Sequence, residues 1–191
     1  TALRSLSKCK VTDPYQQIEI YLLVILCLIR CDRDAAEIYR LIGDAMKLAV
    51  KLDLHKYSSY LSCREDDERL KKMKCFWCVY LLDRLISVSV GKPFNFPEKS
   101  IDPDIPLFED DPAKTNFVKD FTENSSPGLS NGTEAVLYIN QAIKLKRIEA
   151  KAMESLNIVG SNSQVSTVSE LPLVEYYFDQ LQNWRKECTV I

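Results

Sequence analysis

ERLKKMKCFWCVYLLDRLISVSVGKPFNFPEKSIDPDIP, residues 68–106, is the stretch that decides the fold. Glu65, Asp66, Asp67 and Glu68 stand where a helix start favours negative charge. Arg69, Lys71, Lys72 and Lys74 follow one turn in, and Glu68 can pair with Lys72 at i,i+4. The spacing of Met73, Phe76, Trp77, Tyr80, Leu81, Leu85 and Val88 predicts one helix that buries those residues. Gly91 suits its C-terminal cap, and Pro93 bars continuation. Residues 93–112 then hold Pro93, Pro97, Pro103, Pro106 and Pro112 among acidic residues, the composition of an extended, structured loop. Arg84, set among Leu81, Leu82, Leu85 and Ile86, is expected at the core boundary, where a guanidinium needs an acceptor. Asp83 is adjacent and expected to point elsewhere, so Asp102 or Asp104 is the expected partner, clamping the loop to the helix.

Outward from that stretch the periodicity is helical throughout. Asp13-Pro14 is a good helix start, and Ile18, Tyr21, Leu22, Ile25, Leu28 and Ile29 recur at helical spacing to about Arg30. A second helix from Asp34 carries Ile38, Leu41, Ile42, Ala45, Leu48, Ala49 and Leu52, and the short link between them predicts a helical hairpin. His55 to Ser62 is a Tyr/Ser-rich connector. Residues 111–132 have the weakest pattern and are expected to form a mobile loop. C-terminal helices are expected over 133–191, one from Thr133 to about Leu156 and one from Glu170 to about Cys188. The expected class is all-α, an irregular bundle of about six to seven helices with a long Pro/Asp-rich loop after the central helix. No sustained period of a helical-repeat array is found.

The bulk numbers narrow the function. At 191 residues and 46% hydrophobic, the chain can bury one sizeable core. Its 25 Lys plus Arg against 27 Asp plus Glu give a net charge of −2, without the basic excess of a nucleic-acid-binding surface. The 7 cysteines are scattered, several within apolar helical runs, and read as reduced thiols. The longest apolar run, Tyr21 to Ile29, is too short to cross a membrane.

Candidate chemistry is sparse. Cys75-Phe76-Trp77-Cys78 has CxxC spacing but lies mid-helix without a second cluster, so buried thiols are expected and no zinc site. His55 is the single histidine, expected as a cationic cap at a helix end. No nucleophile elbow is present, and no enzymatic function is read.

Two phrases carry a family resemblance. LIGDAMKLAVKLDLH, residues 41–55, supplies Gly43, Ala45, Ala49, Leu52, Leu54 and His55, with Asp53 where a second Gly is usual. The opening stretch supplies Phe76, Trp77, Tyr80, Asp83, Arg84, Gly91 and Pro93, then Ile101, Asp102, Asp104, Ile105 and Pro106, with Lys92 in place of Arg. Together they resemble the regulatory middle region of fungal zinc-cluster transcription factors, the match lying over residues 13–110. The resemblance implies a single helical regulatory domain over residues 1–191, a fragment of a longer nuclear protein. It implies structural roles for Gly43, Ala49, His55, Phe76, Trp77, Asp83, Arg84, Gly91, Pro93, Asp102, Asp104 and Pro106. DNA contact would belong to a separate N-terminal six-cysteine cluster holding two zinc ions, with no cofactor in this segment. Homodimers, transcription co-regulators and a small-molecule effector are the implied partners, with an effector pocket expected around Trp77, Tyr80, Arg84 and Phe94. A helical adaptor binding protein partners, or a chromosome-structural relative of the family, are the alternatives.

Overall fold

The computed structural model describes residues 13–31, 35–108, 132–156 and 171–188, and the described residues contain six α-helices and no strand. They are α1 (Pro14–Arg30), α2 (Ala35–Lys51), α3 (Ser58–Leu61), α4 (Asp66–Val90), α5 (Gly132–Ser155) and α6 (Leu171–Cys188). The expected all-α class holds. A helical turn, α3, forms inside the stretch expected as a plain connector. The residues expected to form a mobile loop, apart from Gly132 at the start of α5, lie outside the described part of the chain, as do the first twelve residues.

Local chemistry sets the helix ends. Asp13 caps α1 by accepting from the Tyr15 N–H at 2.9 Å, and its other oxygen takes Lys71 Nζ of α4 at 3.0 Å. Both α2 and α4 end in a Schellman motif. In α4 the residue at the left-handed position is Gly91 at φ 66°, with the Lys92 N–H on the Ser87 carbonyl at 2.9 Å. In α2 it is Asp53 at φ 56°, with the Leu54 N–H on the Ala49 carbonyl at 3.1 Å. The aspartate thus occupies the one turn position where glycine carries no steric cost.

Helices α1 and α4 both pack on α2, and α5 packs on α4 and α6. The core is built from Ile18 and Ile25 of α1, Leu41, Ile42, Ala45, Met46 and Ala49 of α2, and Phe76, Trp77, Val79 and Tyr80 of α4. Val136 and Ile143 of α5 close it, together with Ile101, Ile105 and Phe108 from the chain that follows α4. Each large aliphatic or aromatic side chain buried there contributes about 1.5–3 kcal/mol. Residues 93–108, hereafter the strap, cross the bundle with a single 3-10 turn at Glu98–Ser100.

Helix α4 is rotated from the expected face. Leu85 and Val88, read as buried, are 49% and 37% exposed, whereas Asp83, Arg84 and Ser87 are wholly buried. Its inner face runs through Met73, Phe76, Trp77, Tyr80, Arg84 and Ser87, so the interior position two turns from the helix end belongs to a charge. The cause is the strap, which brings acceptors to that face and leaves the aliphatic side chains outside. Helix α6 buries no residue completely, and Leu181, read as an apolar contact, is 39% exposed.

Candidate functional site

The centre of the molecule is a charge-balanced cluster tying α4, the strap and α5 together. Arg84 Nη1 donates to Asp83 Oδ2 at 2.6 Å, and its Nη2 donates to Glu98 Oε2 at 3.1 Å. Glu98 also accepts from the Tyr80 hydroxyl at 2.9 Å and, at its other oxygen, from Arg147 Nε of α5 at 2.9 Å. Two carboxylates thus face two guanidiniums, all but Arg147 almost fully removed from water. Neighbouring in sequence did not keep Asp83 and Arg84 apart, because the long guanidinium arm folds back to the carboxylate beside it. The strap partner is Glu98 and not Asp102 or Asp104.

The Arg84 guanidinium lies between two rings, with Cζ 4.4 Å from the Tyr80 centroid and 4.3 Å from that of Phe94. Tyr80 in turn meets Trp77 edge-on at 5.4 Å. The four residues expected around an effector therefore form one continuous stack. Trp77, Tyr80 and Arg84 are wholly buried, while Phe94 borders a hollow of about 490 Å³ with Pro93, Pro97, Lys99 and Met153. Burial pushes the Tyr80 phenol far above its usual range, so it acts as a hydrogen-bond donor and not as an acid. Burial likewise raises Asp83, which the Asn95 amide and the Arg84 charge only partly offset.

Further stitches fix the strap along its length. Trp77 Nε1 donates to the Pro106 carbonyl at 2.9 Å, and the Tyr39 hydroxyl donates to that of Pro93 at 2.7 Å. Asn140 of α5 holds both backbone groups of Phe108, accepting at 3.1 Å and donating at 2.7 Å. Asp102 accepts from the Tyr57 and Asp104 N–H groups at 3.1 and 3.0 Å, and its own N–H meets the His55 carbonyl at 3.0 Å. Those bonds hold the Asp102 carboxyl below its ordinary value. The Asp104 side chain stays exposed, and this residue serves through its backbone.

Comparison with known proteins now decides what carries this scaffold. The sequence profile described as "Fungal specific transcription factor domain" matches residues 1–186. The chain belongs to that family. A transcriptional regulatory protein of Saccharomyces cerevisiae, YLR278C, is 38% identical over 194 residues, covering 100% of this chain and 14% of the relative. A second regulator from that yeast, YJL206C, is 29% identical over 188 residues, covering 96% of this chain and 23% of its own length. Pyrimidine pathway regulatory protein 1, also from that yeast, is 30% identical over 148 residues, covering 76% and 15%. This fungal transcription factor domain thus spans under a quarter of the length of the curated relatives it matches. No solved structure gives a significant match.

The geometry gives the motif positions of the fungal transcription factor domain physical reasons. A Cβ on Gly43 would come within 2.6 Å of Asn95 Oδ1, so α2 and the strap can approach only at a glycine. Asn95 needs that closeness, since its Nδ2 holds Asp83 Oδ1 at 2.8 Å. Ala49 is wholly buried in the last turn of α2, where its carbonyl accepts from the Leu54 N–H at 3.1 Å. His55 is a correction. Its ring is buried edge-on to Phe96 at 5.1 Å, Nδ1 finds no partner, and burial pushes its pKa below the ordinary value. It is therefore a neutral plug, not a cationic cap.

The described residues do not fit a zinc cluster. Among the described residues no three His, Cys, Asp or Glu side chains converge on a point that could hold a metal ion. Cys75 is buried with its thiol pushed up to about 12, and burial raises Cys78 as well, so neither is disposed to ligate as thiolate. No described helix is long and apolar enough to cross a membrane. Three central residues escaped sequence reading. Glu98 looked like one more acid in a polar loop, and Arg147 carried no signal of its own. Asn140 did leave a signal, a lone amide on the stripe of Val136, Ile139 and Ile143.

Proposed function

We propose that this domain is the regulatory middle region of a nuclear zinc-cluster regulator of RNA polymerase II genes. In that reading it contacts DNA only through a separate N-terminal cluster holding two zinc ions. The parent protein works as a homodimer, and the region restrains or transmits activation through transcription co-regulators. It also senses a small-molecule effector. The stack of Trp77, Tyr80, Arg84 and Phe94 is the element whose packing the effector changes. Such a region needs to move between few, discrete arrangements, and bistable packed interfaces supply them.

The observation that supports this most is the cross-link of α4, strap and α5 at Glu98, where three donors from two helices share one buried carboxylate. A cluster of that kind has a closed state and an open one, because losing one partner unbalances the rest. Among the described residues no acid–base constellation competes with it. The test is a reporter gene driven by the parent protein, with and without residues 13–108. Removal is expected to change reporter output severalfold while DNA occupancy persists. Unchanged output sinks the regulatory reading.

A further inference from the structure

A second hollow gives an effector both an entrance and a set of partners. It has a volume of about 320 Å³ and lies between α5 and α6, with Pro103 of the strap on its wall. One face of α5 lines it with Lys144, Arg147 and Lys151, spaced i, i+3 and i+7. Opposite, α6 contributes the side-chain amides of Gln180 and Asn183 and the indole of Trp184. Trp184 is pinned there by its Nε1 bond to the Gln141 carbonyl at 3.1 Å.

The charges do not balance. Like charges at these spacings repel on a helix, and the one carboxylate among the described lining residues is Glu187, 3.0 Å from Lys144 Nζ. That pair is 43% and 56% exposed and so holds weakly. Lys151 is exposed and its ammonium has no partner among the described residues. Lys151 without a partner, Lys144 weakly paired and Arg147 already held by Glu98 thus border a concave space with side-chain amides and an aromatic wall. That chemistry suits an anion with a flat apolar body, held by charge-assisted hydrogen bonds and seated on the indole.

Arg147 belongs to both places. Its Nε holds Glu98 at 2.9 Å and its Nη1 the Pro103 carbonyl at 3.2 Å, while its side chain remains 16% exposed to the hollow. An anion arriving there competes with Glu98 for the guanidinium. Glu98 is also the acceptor of Tyr80 and Arg84, so the competition reaches the aromatic stack directly. We propose that the α5–α6 hollow binds a small organic acid, carrying a carboxylate or phosphate on a planar apolar body, and that Arg147 passes its arrival to Glu98. This rests on the effector reading above.

The test uses the intact parent protein with isophthalate and phenyl phosphate as anionic probes and isophthalamide as the neutral match, read by calorimetry. Saturable binding of at least one anion in the millimolar range or tighter, with none of the amide, is expected. Isophthalate alone marks carboxylic acids and phenyl phosphate alone marks phosphate esters; either supports the site. Lys144→Ala and Lys151→Ala, both exposed, should each weaken binding roughly tenfold. Glu187→Gln should tighten it, because the competing carboxylate is gone, and Lys47→Ala on α2 should change nothing. Hydrogen exchange at residues 98–103 should rise on binding. Absence of saturation, equal binding of the amide, or indifference to Lys144 and Lys151 overturns the proposal. If binding follows the variant pattern yet reporter output ignores those variants, the site stands and the effector reading falls.

Discussion

Arg84 Nη2 meets Glu98 Oε2 at 3.1 Å with both side chains at 1% exposure, a buried ion pair spanning the end of α4 and the turn beyond it. Desolvating two charges costs more than an exposed pair returns, so the value of this pair lies in what its loss does. Glu98→Gln keeps the shape and some of the hydrogen bonding but removes the charge, leaving Arg84 and Arg147 against Asp83 alone. The expected cost is about 2–4 kcal/mol in chemical unfolding. The variant should also lose protection at strap amides in hydrogen exchange before the helices α1 and α2 open. A cost below about 0.5 kcal/mol, the scale of surface substitutions, contradicts the clamp.

How much of this was legible follows from where the constraints reside. The helix spans were readable because capping and periodicity are local, as at Asp13, Pro14 and Gly91. The orientation of α4 was not. Reading apolar residues inward placed Leu85 and Val88 in the core, whereas Glu98, Arg147 and Asn95 reach the opposite positions from distant segments and draw Asp83 and Arg84 inside. Polar partners separated by 14 and 49 residues leave no periodic trace in either element. The clamp between helix and loop was expected in kind, but its acceptor was expected at Asp102 or Asp104, four or six residues beyond Glu98. An acid in the 3-10 turn at Glu98–Ser100 can look back along α4, while Asp102 is consumed by turn backbone at Tyr57 and Asp104.

Gly43→Ala separates helix propensity from packing. In an exposed helix the change favours folding by about 1 kcal/mol. Here the added methyl meets Asn95 Oδ1 at 2.6 Å, and Asn95 cannot yield without releasing Asp83. Overpacking of this kind costs typically about 1–3 kcal/mol, so a net destabilisation is expected. Adding Asn95→Ala should recover the steric part while keeping the cost of an unpartnered Asp83, which a double-mutant cycle measures.

Asp53→Gly should stabilise the protein. The residue sits at φ 56°, and its side chain makes an exposed ion pair to Lys56 at 2.7 Å. Glycine relieves the left-handed strain at the end of α2, offset in part by its greater freedom when unfolded. A rise of about 1–3 °C in Tm is expected by calorimetry. Asp53→Val, β-branched at the same position, should lower Tm by more than that gain. If the glycine variant melts below the parent protein, the carboxylate has a role at this turn beyond the Lys56 pair.

His55 sets an acid limit on stability. Its folded pKa is held below the ordinary imidazole value of about 6.5 by burial, with Lys56 adding to the effect and Asp53 opposing it. The unfolded chain therefore takes up the proton first as pH falls. The contribution of the neutral ring is complete above about pH 6.5 and is lost progressively as pH drops from there toward the folded value. His55→Phe removes the titration and keeps an aromatic plug against Phe96, 5.1 Å from its ring. Melting curves taken between neutral and mildly acidic pH should show the parent losing Tm through that window and the variant losing less. Parallel curves would mean that His55 is protonated as readily when folded as when unfolded, and would overturn the reading of it as a neutral plug.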